Sequence, residues 1–300
     1  MSDVETPPES NTVAERRPRM ARALAKMESR RYSSWKDRAT TELMVVGTHT
    51  FDTFTPKQYG DHAAIFSLSV AALICLSYCY MAGGFLGATD SHGPSSISGY
   101  FLDKRTFDAA YLRQWGGLFG PDTRRQAYRL VTYAFVHQTA VHVAGNLLVF
   151  GLVSFSLERR FGQSRVAAVW LISTVGSGLC VSLGRPCATV VGLSGGIFGL
   201  LGLFIADLVE HFRIVRAVAF VALVAFEIAG SLTAPNATSF LAHATGFALG
   251  LAPSFLVLPH SGNEYLNAVI PVLAALDFLV VAVVLPVIVF HNKLPAITCN

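Results

Sequence analysis

From about residue 64 onward the chain alternates between long apolar runs and short polar breaks. The runs cover roughly 64–87, 130–155, 166–184, 190–208, 215–234, 238–258 and 268–290. Each is long enough, at about 1.5 Å of rise per residue, to cross a hydrocarbon layer about 30 Å thick. Lipid offers a backbone amide no hydrogen-bond partner, so such segments satisfy their own backbone as helices rather than as open strands. The expected fold class is all-α: a polytopic membrane helix bundle of seven spans.

Composition agrees with this pattern. The 300 residues are 52% hydrophobic and 14% charged, with a mean hydropathy of +0.48, outside the balance of a soluble domain. Residues 1–63 differ in kind, being polar with ten Lys or Arg against nine acidic residues, and read as a cytoplasmic, partly disordered region. Its basic residues cluster between Arg16 and Arg38, with Met20, Leu24, Met27 and Trp35 interleaved. This fits a surface helix on anionic lipid, and equally a solvated tail that only fixes topology. The opening MSDVETPPES has no apolar core, which argues against a secretory signal or a mitochondrial presequence. The expected division is therefore 1–63, a six-helix core over 64–258, and a seventh span with a short tail over 259–300.

If the N-terminus is inside, fifteen of the 23 Lys and Arg residues lie on inside segments, among them Arg159, Arg160, Arg165, Arg213 and Arg216. The bias predicts an inside N-terminus and an outside C-terminus. Cys75, Cys79, Cys180, Cys187 and Cys299 show no CxxC spacing, so no metal cluster is expected. Cys187 and Cys299 fall on the same outer side, where a disulfide and two separate thiols both stay open.

Polar residues inside the spans carry the functional information, because hydrocarbon tolerates them only with partners or beside water. The second span holds His137, His142 and Asn146 and ends at Glu158-Arg159-Arg160. The fourth opens with Ser194 among Gly192, Gly195, Gly196 and Gly199, and the sixth carries His243 followed by Gly246 and Gly250. These three spans run in the same direction, from outside to inside. His142, Ser194 and His243 precede Glu158, Glu210 and His260 by nearly equal intervals, each about 24 Å at helical rise, which sets the three side chains at one depth. Small residues four apart let helices approach closely, and both Gly195/Gly199 and Gly246/Gly250 have that spacing.

Taken singly, a Ser in a span bonds to its own helix and a His to a backbone carbonyl, and a GxxxG pattern is ordinary packing. Together at one depth they suggest chemistry. Serine becomes a nucleophile when a base takes its proton, and imidazole is the usual base near neutral pH. Ser194 and His243 are the expected dyad, with no carboxylate at that level to make a third member. His142 and Asn146, one turn apart, would supply oxyanion donors beside the backbone N–H groups of Leu193 and Ser194.

With these residues in hand the chain resembles the rhomboid family of intramembrane serine proteases over about 128–258. The likeness rests on HxxxN at His142 and Asn146, GxSG at Gly192-Leu193-Ser194-Gly195, and the HxxGxxxG run at His243, Gly246 and Gly250. It implies Ser194 as nucleophile, His243 as base, and His142 with Asn146 in the oxyanion hole. It also implies supporting roles for Gly192, Gly195, Gly246, Gly250 and His137, a structural role for Glu158, and an aromatic stack of Phe198 on the catalytic His. The family's Trp-Arg loop pair is Tyr128-Arg129 here, with Tyr keeping the interfacial anchoring role. The added seventh span resembles eukaryotic secretory-pathway members, which implies a plasma-membrane or endomembrane location. The implied substrates are single-pass proteins whose spans contain Gly, Ala or Ser near the outer face.

The expected partners are such substrates and the bilayer, with no nucleic acid; no cofactor or metal is implied, since HExxH and paired intramembrane Asp-Gly motifs are absent. Glu227 and Asp277 are expected to form interhelical hydrogen bonds. The Asn236-Ala237-Thr238 sequon lies at the membrane surface and is expected to be unmodified. The 88–127 loop, with Trp115, Leu118 and Phe119, is expected to lie partly in the outer interface. Two other functions compete. A catalytically inactive client-binding relative would lack the Ser or the His, and a transporter would show inverted repeats or charged pore rings.

Overall fold

The computed structural model describes residues 62–88, 107–210, 214–233, 238–257, 264–291 and 299, all in one compact unit over Thr53–Asn300. The basic cluster between Arg16 and Arg38, and Asn236 of the sequon, lie outside the described residues. The chain forms α1 (Ile65–Ala88), short loop helices α2 (Ala109–Gln114), α3 (Gly120–Thr123) and α4 (Arg129–Thr132), then α5 (Ala140–Phe161), α6 (Gln163–Gly184), α7 (Ser194–Glu210), α8 (Ile214–Thr233) and α9 (Thr238–Val257). The last span is α10 (Glu264–Leu279), a π-helical turn at Val280–Val284 and α11 (Leu285–Phe290). Among the described residues there is no strand, only an isolated bridge between Leu118 and Val190. By length and apolarity, Ile65–Gly84, Ala140–Phe161, Gln163–Gly184 and Pro271–Phe290 are candidate membrane spans, with Ser194–Val209 a shorter apolar helix.

The helices form because their residues are apolar on nearly every side, and they stop where the backbone demands it. Gly162, at φ +86°, ends α5 and begins α6, a conformation that glycine adopts without cost. In the last span Pro286 has no N–H to offer the carbonyl four residues earlier, and the neighbouring N–H of Leu285 reaches back to Val280 in a π-type bond. α7 is the centre of the bundle, and its Leu193 flank, Ile197, Leu200, Leu201 and Leu203 are fully buried. By contrast α1 and α10 expose Leu68, Leu76, Val272 and Phe278, as lipid-facing helices should.

One expectation needs correction. The second span is not one helix from 130: after α4 the chain makes a 3-10 turn at Tyr133–Phe135, leaves helical geometry, and starts α5 at Ala140. His137 therefore stands before the helix rather than on it. In the described part of the 88–127 loop, Leu118 is buried against Leu130, Tyr133 and Leu179. Arg129, itself buried, donates to the carbonyls of Arg113 and Gly117 at 2.6 and 2.7 Å and to the Gln126 side chain at 2.7 Å. The guanidinium thus folds this loop, while Tyr128 beside it is exposed.

Candidate active site

The site begins with a helix cap. The Thr139 hydroxyl accepts from the backbone N–H of His142 at 3.0 Å, which starts α5 at Ala140 and sets His142 in its first turn. One turn on, the buried Asn146 amide donates to the His142 carbonyl at 3.0 Å and keeps a second N–H. His137 is fully buried and lies edge-on to His142, the ring centroids 5.0 Å apart.

The turn before α7 closes on this pair. Gly192 has φ +116°, open to glycine alone, and its N–H donates to the Tyr133 carbonyl at 2.9 Å. A Cβ at Gly192 would stand 2.8 Å from both Cε1 and Nε2 of His142, so the imidazole packs against the glycine α-carbon. Leu193 follows, fully buried, and Ser194 opens the helix. The first N–H groups of a helix have no acceptor within it, which leaves amides at this turn to serve a developing negative charge.

His243 comes from the neighbouring helix. It is buried, and its ring stacks on Phe198 with centroids 4.3 Å and planes 12° apart. Phe198 lies one turn beyond Ser194 on the same face of α7. One turn beyond His243, a Cβ on Gly246 would fall on the Gly195 carbonyl, and one on Gly250 would fall on the Gly199 α-carbon. α7 and α9 thus meet backbone to backbone, and they pack together more extensively than any other described pair. Ser194, His243, His142, Asn146, His137, Phe198 and the glycines at 192, 195, 246 and 250 are brought to one end of the bundle.

A stripe of hydroxyl residues on α6, not singled out from the sequence, completes the seat of α7. A Cβ on Gly195 would stand 2.5 Å from Ser177 Oγ and 3.0 Å from the Tyr133 hydroxyl, and Gly196 and Gly199 face Thr174 and Ser173. The Tyr133 hydroxyl donates to the Thr174 carbonyl at 2.8 Å and lies 2.8 Å from Ser177 Oγ. The three- and four-residue spacing of Ser173, Thr174 and Ser177 was the available signal.

The opposite end of the bundle carries charge. The buried Glu158 carboxylate accepts from the backbone N–H groups of Phe66 and Ser67, each at 2.7 Å, capping α1, and from Ser67 Oγ at 2.6 Å. Asp207 on α7 is fully buried and pairs with Arg160 of α5 at 2.6 Å and with Arg216 of α8. Asp207 was also missed from sequence, although it interrupts an otherwise apolar stretch of its span. Glu227 is buried on α8. The expected interhelical bond is not seen at Asp277 Oδ2, which is buried and has no hydrogen-bond partner among the described residues.

Architecture and composition together define a multi-pass helical membrane protein with a Ser, two His and an Asn gathered between its helices. The rhomboid domain family matches residues 124–260. Rhomboid-related protein 2 of Mus musculus is 28% identical over 151 residues, covering 46% of this chain and 50% of that protein. RHOMBOID-like protein 1 of Arabidopsis thaliana is 33% identical over 149 residues, covering 48% and 38%, and RHOMBOID-like protein 4 of the same plant is 33% identical over 182 residues, covering 57% and 42%. The chain spans half or less of the length of these relatives. Over residues 124–260 it is similar to the rhomboid domain family.

Proposed function

We propose that this chain is an intramembrane serine endopeptidase that cleaves transmembrane segments of single-pass membrane proteins. The observation that carries the reading is the stack of His243 on Phe198, one turn from Ser194, between helices in backbone contact. As the Ser194 oxygen bonds to the scissile carbonyl carbon, its proton passes to the His243 imidazole, and the carbonyl electron pair moves onto oxygen. His142, the second N–H of Asn146 and the amides of Leu193 and Ser194 hold that oxyanion. Collapse expels the amine, which takes the proton from His243; water then repeats the sequence and releases the acyl group from Ser194. Substrate spans with Gly, Ala or Ser near the site end would offer a carbonyl with little side-chain obstruction, and of the three Gly would also unwind the helix most readily.

The Lys and Arg bias supports an orientation with the site end outside and the Arg159–Arg160 end inside. A disulfide between Cys187 and Cys299 supports an oxidising compartment at the site end, such as the secretory lumen or cell exterior.

The test is covalent labelling of the detergent-solubilised protein with a fluorophosphonate, followed by mapping of the modified residue. Labelling of Ser194 that disappears in Ser194→Ala and His243→Ala is the expected result. A protein that binds membrane clients yet neither labels nor cleaves would be the inactive client-binding relative instead.

A further inference from the structure

We propose that the Cys187–Cys299 disulfide is a positioning element of the site, which holds the loop carrying Gly192, Leu193 and Ser194 in register with His243. This rests on the reading of Ser194 as nucleophile. Cys187 lies in the loop between α6 and α7, and Cys299 lies after the seventh span; their Cα atoms are 5.4 Å apart across a sequence separation of 112. The covalent ring so closed contains α7 and α9, the two helices that carry Ser194 and His243.

The loop has few other ties. Pro186 accepts from the Gly120 N–H at 2.9 Å, Val190 exchanges two backbone bonds with Leu118 at 2.9 Å, and Gly192 donates to Tyr133 at 2.9 Å. The disulfide attaches at Cys187, the exposed residue of the turn between Pro186 and Val190. The end of the seventh span reaches both arms of the site. Val289, buried, packs in one cluster with Val190 of the loop and with Ala242, the residue before His243, and Leu285 and Phe290 flank them. Cysteine pairing fastens that cluster to the loop from outside.

The consequence is chemical because oxyanion donors act only at fixed geometry, where a shift of about 1 Å can cost up to about a hundredfold in rate. Opening the pair leaves the helices packed but lets the Cys187–Ser194 stretch move on its remaining hydrogen bonds. Closing the pair removes two electrons and two protons from the thiols. The disulfide of a thiol oxidoreductase or of glutathione accepts them and becomes two thiols. The site is therefore set only once its end of the bundle has met an oxidising compartment.

The experiment compares wild type with Cys299→Ser and with Cys187→Ser/Cys299→Ser in full-length protein, well below the melting temperature of each. Cleavage of a reporter transmembrane substrate, fluorophosphonate acylation and amide hydrogen exchange over residues 188–194 are measured. The expected result is a fall of about tenfold in kcat and in acylation rate with KM held within about twofold, and exchange at least about tenfold faster. Dithiothreitol should reproduce this in wild type, glutathione disulfide should reverse it, and neither should affect the double variant. Unchanged exchange, or unchanged kcat and acylation with only a lower Tm, overturns the proposal by making the bond a plain staple. If wild type neither labels nor cleaves while exchange still responds, the nucleophile reading falls and the loop brace stands.

Discussion

The two ends of this bundle hold the same helices together by opposite means. At the site end α7 meets α9 and α6 through glycines and small hydroxyl residues, with one aromatic stack, so that main chains touch. At the other end α7 is fixed to α5 and α8 by a carboxylate shared between two guanidinium groups, and α5 to α1 by Glu158. Close packing of small residues gives precise placement and leaves polar atoms of Ser194 and His142 for the proposed chemistry. A buried ion cluster is costly to break, and its charges, placed in the low-dielectric interior beside a nucleophile and its base, would perturb both. The proposed chemistry and the anchoring lie at opposite ends of the bundle.

The sharpest break of the site end is at the proposed dyad. Ser194→Ala or His243→Ala should lower turnover of a reporter transmembrane substrate by at least about a thousandfold with expression and melting intact; retained turnover in either variant would remove the assigned roles. Next comes the anchoring end. Asp207→Ala takes away the carboxylate between two buried Arg residues and should cost about 3–5 kcal/mol of stability. It should leave fluorophosphonate labelling, measured below the melting range, within about twofold. A parallel collapse of labelling would show that the ends are not independent.

Gly246→Ala sets a methyl group on the Gly195 carbonyl and forces α9 away from α7. About 1–3 kcal/mol of destabilisation is expected, with a larger fractional loss in kcat than in KM. An equal effect from Gly151→Ala, where nothing lies within 4 Å, would argue against close approach as the cause. The smallest effect belongs to Phe198→Leu, which removes the stack on His243 at about 0.5–1.5 kcal/mol in ΔΔG‡, roughly two- to tenfold in kcat/KM. Phe198→Tyr should restore the rate, and a Leu variant at full rate would deny the ring its orienting role.

Sequence alone determined the all-α class and the seven apolar runs, and it nominated Ser194, His243, His142 and Asn146, because lipid imposes length and apolarity on each span and because polar residues there stand out against the rest. It also led to the expectation of one depth for His142, Ser194 and His243, since helical rise converts residue intervals to height. Only tertiary structure decided what lies sideways. The break before Ala140 depends on the Thr139 cap, and the glycine at 192 on the imidazole of His142 packed against it. The α6 hydroxyl stripe, the sharing of Asp207 between two helices and the pairing of Cys187 with Cys299 likewise join residues distant in the chain. Periodicity along one helix reports which residues share a face, whereas the identity of the facing neighbour is set by the packing of the whole bundle.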